Sequence, residues 1–275
     1  MRFGRTFLLM AGLMLLFMFL GNLFGGQDGM RIAFWIALVF NFYGYFYSDT
    51  LVLKHYKATK VNQKDAPELY RIVERLAARA ELPMPKLYII PDKTPNAFAT
   101  GRNASHAAVA ATQGLLDLMS EEEVEGVLAH EMSHIKNHDI LISSVAAMFA
   151  AAISWVCDSR RYEQFYTRKR SNLNMILGIV LLPIAAMIIQ MAISRTREFA
   201  ADEGSARLTG HPEWLITALM KLDDCAKKTQ LSYATSQTAH LFIVNPFSAK
   251  SLAISLFSTH PSTADRIAQL QKIRL

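Results

Sequence analysis

Four runs of the chain carry no charged residue and are almost wholly apolar: Phe7 to Phe24, Ile32 to Tyr47, Ile140 to Cys157 and Leu173 to Ile193. A soluble core rarely needs such uninterrupted segments, whereas a hydrocarbon layer about 30 Å thick is crossed by about 20 apolar residues of helix. In a chain of 275 residues that is 52% hydrophobic, the runs predict a mainly α membrane protein with four hydrophobic helices. The second run is short and aromatic. It is expected to continue through Ser48 toward Leu53, with Asp49 at an interface.

Arg2 and Arg5 precede the first run, as in a signal peptide, but no A-x-A site follows it and the second run begins almost at once. The first pair is therefore read as a retained transmembrane hairpin over residues 1–54. Basic residues before it and after Lys54 place both of its ends in the cytoplasm by the positive-inside rule. The loop DSRRYEQFYTRKRSN, between the third and fourth runs, carries five Lys or Arg. Either the hairpin over 140–194 is shallow or re-entrant, or the first pair dominates the topology; both remain open.

Two soluble parts are left, 55–139 and 195–275. In the first, DAPELYRIVERLAARAELP predicts an amphipathic helix capped by Asp65, with Pro67 in its first turn and a stripe of Leu69, Ile72, Val73 and Leu76. KLYIIPD and HAAVAAT predict a small sheet. The second part predicts a helix ending at Gly210, one starting at Pro212 and a closing helix in STADRIAQLQKIRL. Each part alone has a thin core, so the two are expected to pack together.

Within the first part lies HEMSHIKNHD. Ser120 and Glu123 form a capping-box pattern that starts a helix near 121, and Val124, Val127, Leu128 and Ile135 fall at helical spacing. Glu121, Glu122 and Glu125 add negative charge near the first turn and read as a solvated helix start. His130 and His134 then share one face and can bind one ion, with Glu131 beside the same opening. Two neutral imidazoles suit zinc. The helix is expected to run on into the third apolar run.

If the third and fourth runs form an antiparallel hairpin, the segment after Ile193 returns to the level of the histidines. His134 lies about 9 Å before the third run at 1.5 Å per residue, and Glu198 one turn beyond the fourth. Glu198 thus becomes a third ligand and leaves a fourth position open, as catalytic zinc requires. Asp202, one turn on, is placed to accept the outer N–H of a ligand histidine. The plain alternative is a charged helix start paired with Arg195 or Arg197.

HEMSH and EFAAD, together with NAFATG, AAVAATQGLL, FIVNPF and STHPSTADRI, make the sequence resemble the membrane peptidases that include the Ste24 and Oma1 proteases. The resemblance covers most of the chain. It implies an α+β zincin-like (gluzincin) catalytic domain and a zinc metalloendopeptidase facing the cytoplasm of a bacterial inner membrane. One Zn2+ per chain would be held by His130, His134 and Glu198, with Glu131 as catalytic base. The implied work is protein quality control in the stress response, cleaving misfolded membrane proteins. Other membrane quality-control proteases are candidate partners. Asn96, Ala97, Phe98 and Ala99 resemble the edge strand that pairs with an extended substrate; a turn with a short strand is the plain alternative. His260 and Arg266 match the C-terminal pattern, as catalytic groups at a developing oxyanion or as packing residues.

His138 departs from the usual pattern, and the drift of about 40° per helical step speaks against its being a ligand. Asp139 is expected to cap or pair locally. The net charge of +6 is carried mostly by the basic loop and span flanks, where it meets anionic lipid. No nucleic-acid module is present. Cys157 and Cys225 form no ligand pair and read as packing residues. An intramembrane protease is disfavoured because EEEVEG and IKNHD flank the motif. A non-catalytic adaptor with structural zinc would need a fourth protein ligand, His138 or His260.

Overall fold

The computed structural model describes residues 3–146, 195–228 and 261–274. Helix α1 spans Phe3–His55 but folds back on itself at Gly26, whose φ of 59° and ψ of −149° suit glycine alone. The two arms pack closely. A Cβ on Gly21 would stand 2.5 Å from the Gly29 carbonyl oxygen, the tilted rings of Phe17 and Phe40 have centroids 6.3 Å apart, and Asn41 Nδ2 donates to the Met10 carbonyl at 3.3 Å. Large apolar side chains such as Phe7, Phe19 and Trp35 point outward and are more than 60% exposed.

Among the described residues, Gly25–His55 is long and apolar enough to cross a membrane, and Phe7–Leu23 is a shorter apolar helix. Of the four expected hydrophobic helices, the described residues thus hold one long enough to cross and one shorter apolar arm. The third run is described as helix only over 140–146, and the fourth, at 173–193, lies outside the described residues. Leu9 and Leu13 of the hairpin pack on Leu141, Ile142 and Val145, so the hairpin and the start of the third run share an apolar cluster.

A four-stranded sheet follows, of β1 (Thr59–Val61), β2 (Lys86–Ile90), β3 (Ala97–Gly101) and β4 (Ala107–Thr112) in the order β1-β2-β4-β3. β2 and β4 run parallel and the outer pairs antiparallel. β3 is therefore an edge strand. One sheet face packs Ile90, Phe98, Ala108 and Ala110 on Val52 and Leu53 at the end of α1. The other covers the main core.

That core joins both soluble parts. Leu69, Leu76 and Val73 of α2 (Pro67–Ala80) meet Val127, Leu128 and Met132 of α4 (Glu121–Lys136), Ala206 of α5 (Arg195–Thr209), Leu215 and Leu219 of α6 (Pro212–Lys228) and Leu270 of α7 (Thr263–Leu270). A short α3 (Gln113–Leu118) links β4 to α4. Full burial of each such side chain is worth about 1.5–3 kcal/mol.

Three local expectations are corrected. Asp65 does not cap α2: Ala66 is the N-cap with no side-chain bond, and Asp65 Oδ2 instead accepts from Asn62 N at 3.0 Å. The acid run before the motif is only half solvated. Glu121 and Glu122 are exposed, but Glu123 is buried and takes Lys221 Nζ of α6 at 2.6 Å, and buried Glu125 is held by Arg75 of α2. Finally, α4 does not run on into the third apolar run. It stops at Lys136, and His138 takes a left-handed φ of 59° before helix resumes at 140.

Candidate metal centre

α4 is the central helix of the domain, buried on nearly every side, and its start is built as expected. Ser120 Oγ accepts from Glu123 N, and Glu123 Oε2 accepts from Ser120 N. The four-residue spacing then brings His130 Nε2 and His134 Nε2 to 3.2 Å. α5 packs along α4, where Ser205 Oγ donates to the Gly126 carbonyl at 2.7 Å. This contact carries Glu198 to the histidines, with Oε2 3.8 Å from His130 Nε2 and Oε1 3.6 Å from His134 Nε2.

The three side chains offer donor atoms that all lie within 4.8 Å of one another. Two ligands about 2.05 Å from a tetrahedral ion stand about 3.3 Å apart. The observed separations fit that geometry, and two imidazoles with a carboxylate are the donor set of a catalytic rather than a closed site.

Behind His130, Asp202 Oδ1 lies 3.0 Å from Nδ1. A carboxylate there requires Nδ1 to carry the proton, which leaves the Nε2 lone pair facing the other donors. Arg266 holds Asp202 through both oxygens, at 2.9 and 2.6 Å. Burial works to raise the Asp202 pKa, but the Arg266 charge and the bond from His130 hold it at about 2. Asp202 therefore stays ionised. The Arg266 guanidinium sits on the Nδ1 side of His130, 3.4 Å from that nitrogen.

His134 is backed differently. Its Nδ1 lies 3.3 Å from Asp139 Oδ2, and Arg197 Nη1 lies 3.5 Å from Asp139 Oδ1. Burial opposes a charge on His134, but the Asp139 bond and the charges of Glu198, Glu131 and Asp139 raise its pKa to about 9. Asp139 thus pairs locally, as expected, but its choice of His134 depends on a left-handed turn at His138 that has no glycine to mark it. His138 itself is exposed and does not join the donor group.

Glu131 is buried, and burial pushes its pKa up against the pull of the two histidines. Its Oε2 accepts from the Ala99 N–H of β3 at 2.8 Å. The bond follows from the sheet. Asn96 and Thr112 bond to each other at the head of the pair, so the alternation of an antiparallel ladder turns the N–H groups of Ala97, Ala99 and Gly101 toward the outer edge of the sheet. Ala97, Phe98 and Ala99 thus line the edge beside Glu131, with Asn96 at its start, and all four are buried. His260 lies outside the described residues.

Residues 63–274 match the sequence profile of Peptidase family M48. The chain is 55% identical over 275 residues to a protease HtpX homologue of Campylobacter hominis, covering 98% of each chain. It is 55% identical over 272 residues to one of Sulfurovum sp., covering 98% of this chain and 99% of that one. The homologue of Pyrococcus furiosus is 49% identical over 277 residues, with 98% and 96% covered. The crystal structure of S. mikatae Ste24p is similar in fold, with a TM-score of 0.51 at 18% identity. That likeness covers 94% of this chain and 62% of the longer Ste24p chain.

Proposed function

The chain belongs to peptidase family M48 and is a metalloprotease, and on that premise we propose that it is a zinc-dependent endopeptidase anchored in a membrane by its N-terminal hairpin. The observation that carries the reading is the convergence of His130, His134 and Glu198 within 4.8 Å, with Glu131 on the same helix beside them. His130, His134 and Glu198 would hold the zinc, which when bound would supply Lewis acidity to a scissile carbonyl and lower the pKa of a water toward about 7.

The chain's own groups do the rest. Glu131 takes the proton of the attacking water and passes it to the leaving amine, so no covalent intermediate is needed. The Ala99 N–H fixes one of its oxygens, which aims the other. Asp202, itself held by Arg266, keeps His130 in the ligating tautomer. An extended substrate adds to the edge of β3. With the Ala99 N–H committed to Glu131, a substrate strand would pair through the Ala97 N–H and carbonyl and the Ala99 carbonyl. Because β3 is buried, strand addition requires its cover to open.

The outward apolar side chains of the hairpin support residence in lipid. The basic residues at its two ends favour a catalytic domain in the cytoplasm, and the protease HtpX relatives support a bacterial inner membrane as the location. A site joined to that hairpin suits misfolded membrane proteins as substrates. The test is casein cleavage by detergent-purified chain stripped of metal and then given zinc. The parent regains cleavage and Glu131→Gln does not. A variant that cleaves as well as the parent would remove Glu131 from the mechanism.

A further inference from the structure

We infer that Asp139 is a positioning residue for His134, holding the second ligand histidine as Asp202 holds the first. The inference rests on the metal centre read above and assigns it a second outer carboxylate.

Asp139 grips His134 twice. Its backbone N–H donates to the His134 carbonyl at 2.9 Å, while its side-chain Oδ2 stands 3.3 Å from Nδ1 of the same residue. The double grip depends on the end of α4. Asn137 N bonds to Ser133 O and His138 N to Ile135 O, and the φ of 59° at His138 then swings the chain back under the last helical turn. A non-glycine residue in that region is uncommon. Here it brings a carboxylate to the outer nitrogen of a ligand.

Asp139 is also a junction. Its carbonyl accepts from Ser143 N and Ser143 Oγ, each at 3.3 Å, and so begins the helix over 140–146. Its other carboxylate oxygen faces Arg197, the residue before Glu198. One residue therefore connects His134 and the segment that delivers the third ligand through its carboxylate, and the start of the third apolar run through its carbonyl. Both histidines end up with the same arrangement, an aspartate on Nδ1 whose second oxygen meets an arginine from another element. The pair behind His130 is almost fully buried and tight, whereas Asp139 and Arg197 keep 12% and 14% side-chain exposure and longer distances.

Outer carboxylates of this kind change metal affinity by about 10- to 100-fold. The looser, wetter pair belongs at the lower end, near tenfold. The experiment uses the full chain in detergent, stripped of metal and titrated with zinc against a chromophoric chelator, comparing parent, Asp139→Ala and Asp139→Asn. Asparagine preserves the helix start and can still accept from Nδ1–H, so it decides the matter if the alanine variant does not fold.

The expected result is about tenfold weaker zinc binding for alanine, a smaller loss for asparagine, and an altered visible spectrum of the cobalt-substituted alanine variant. Parent-like zinc affinity and cobalt spectra in both variants would overturn the inference. A parent that binds no zinc would instead overturn the reading of the site on which it rests.

Discussion

Replacing Arg266 by methionine removes a guanidinium that is 1% exposed and leaves Asp202, equally buried, with a charge and without its cation. Breaking a buried pair from one side costs about 3–5 kcal/mol. At about 2–4 °C per kcal/mol for a domain of this size, melting should fall by about 6–20 °C. The assay is thermal unfolding of the detergent-solubilised chain followed by circular dichroism. Arg207→Ala is the control, because its pair with Glu203 is more than half exposed on one helix, and its loss should cost less than about 1 kcal/mol. Adding Asp202→Asn to Arg266→Met should recover part of the loss, since no buried charge is then left alone. Acid gives an independent reading. The folded pKa of Asp202 is depressed from 3.8 to about 2, so its stabilisation is present above the unfolded value and is lost as pH falls through about 2. At 1.36 kcal/mol per unit that is about 2 kcal/mol, and it should vanish in Arg266→Met. A variant melting within about 2 °C of the parent, or additivity in the double variant, would refute the argument.

Gly126→Ala should destabilise the domain by about 1–3 kcal/mol, because a Cβ there would stand 2.8 Å from Leu215 N and 3.0 Å from Trp214 C, forcing α6 away from α4; an unchanged melting temperature would show that the helices part freely. In the metal-free chain His134 holds a proton up to about pH 9, and zinc must displace it. Apparent zinc affinity should therefore rise with pH and level off near about 9, as read by chelator competition, and a flat profile between about pH 7 and 9 would contradict the assignment.

The parts of this protein that could be read from sequence are those whose signals are local or purely topological. Ser120 and Glu123 lie three residues apart and announce α4; four-residue spacing alone pairs His130 with His134. Glu198 followed from where an antiparallel hairpin must return, which needs no knowledge of packing. Asp139 was expected to cap or pair locally, but its partner, His134, could not be named because the pairing depends on a left-handed His138, and nothing in the letters N-H-D distinguishes that turn from a continuing helix. Glu125 looked solvated since its partner, Arg75, comes from a distant helix, and the capping role of Glu123 gave no hint of its second partner, Lys221. Asp65 was read as a cap, yet it closes its own turn with Asn62, a local competition that capping preference does not resolve. The sheet order also required the fold, because β4 pairs parallel with β2 and leaves β3 outside.

The central claim is an open zinc site with two imidazoles and one carboxylate. X-ray absorption at the zinc edge of the purified full chain tests it most directly. One zinc per chain is expected, with two imidazoles among otherwise oxygen ligands and the imidazole signal lost in His130→Ala and His134→Ala. A third imidazole or a sulfur in the shell would mean a closed structural site and would contradict it.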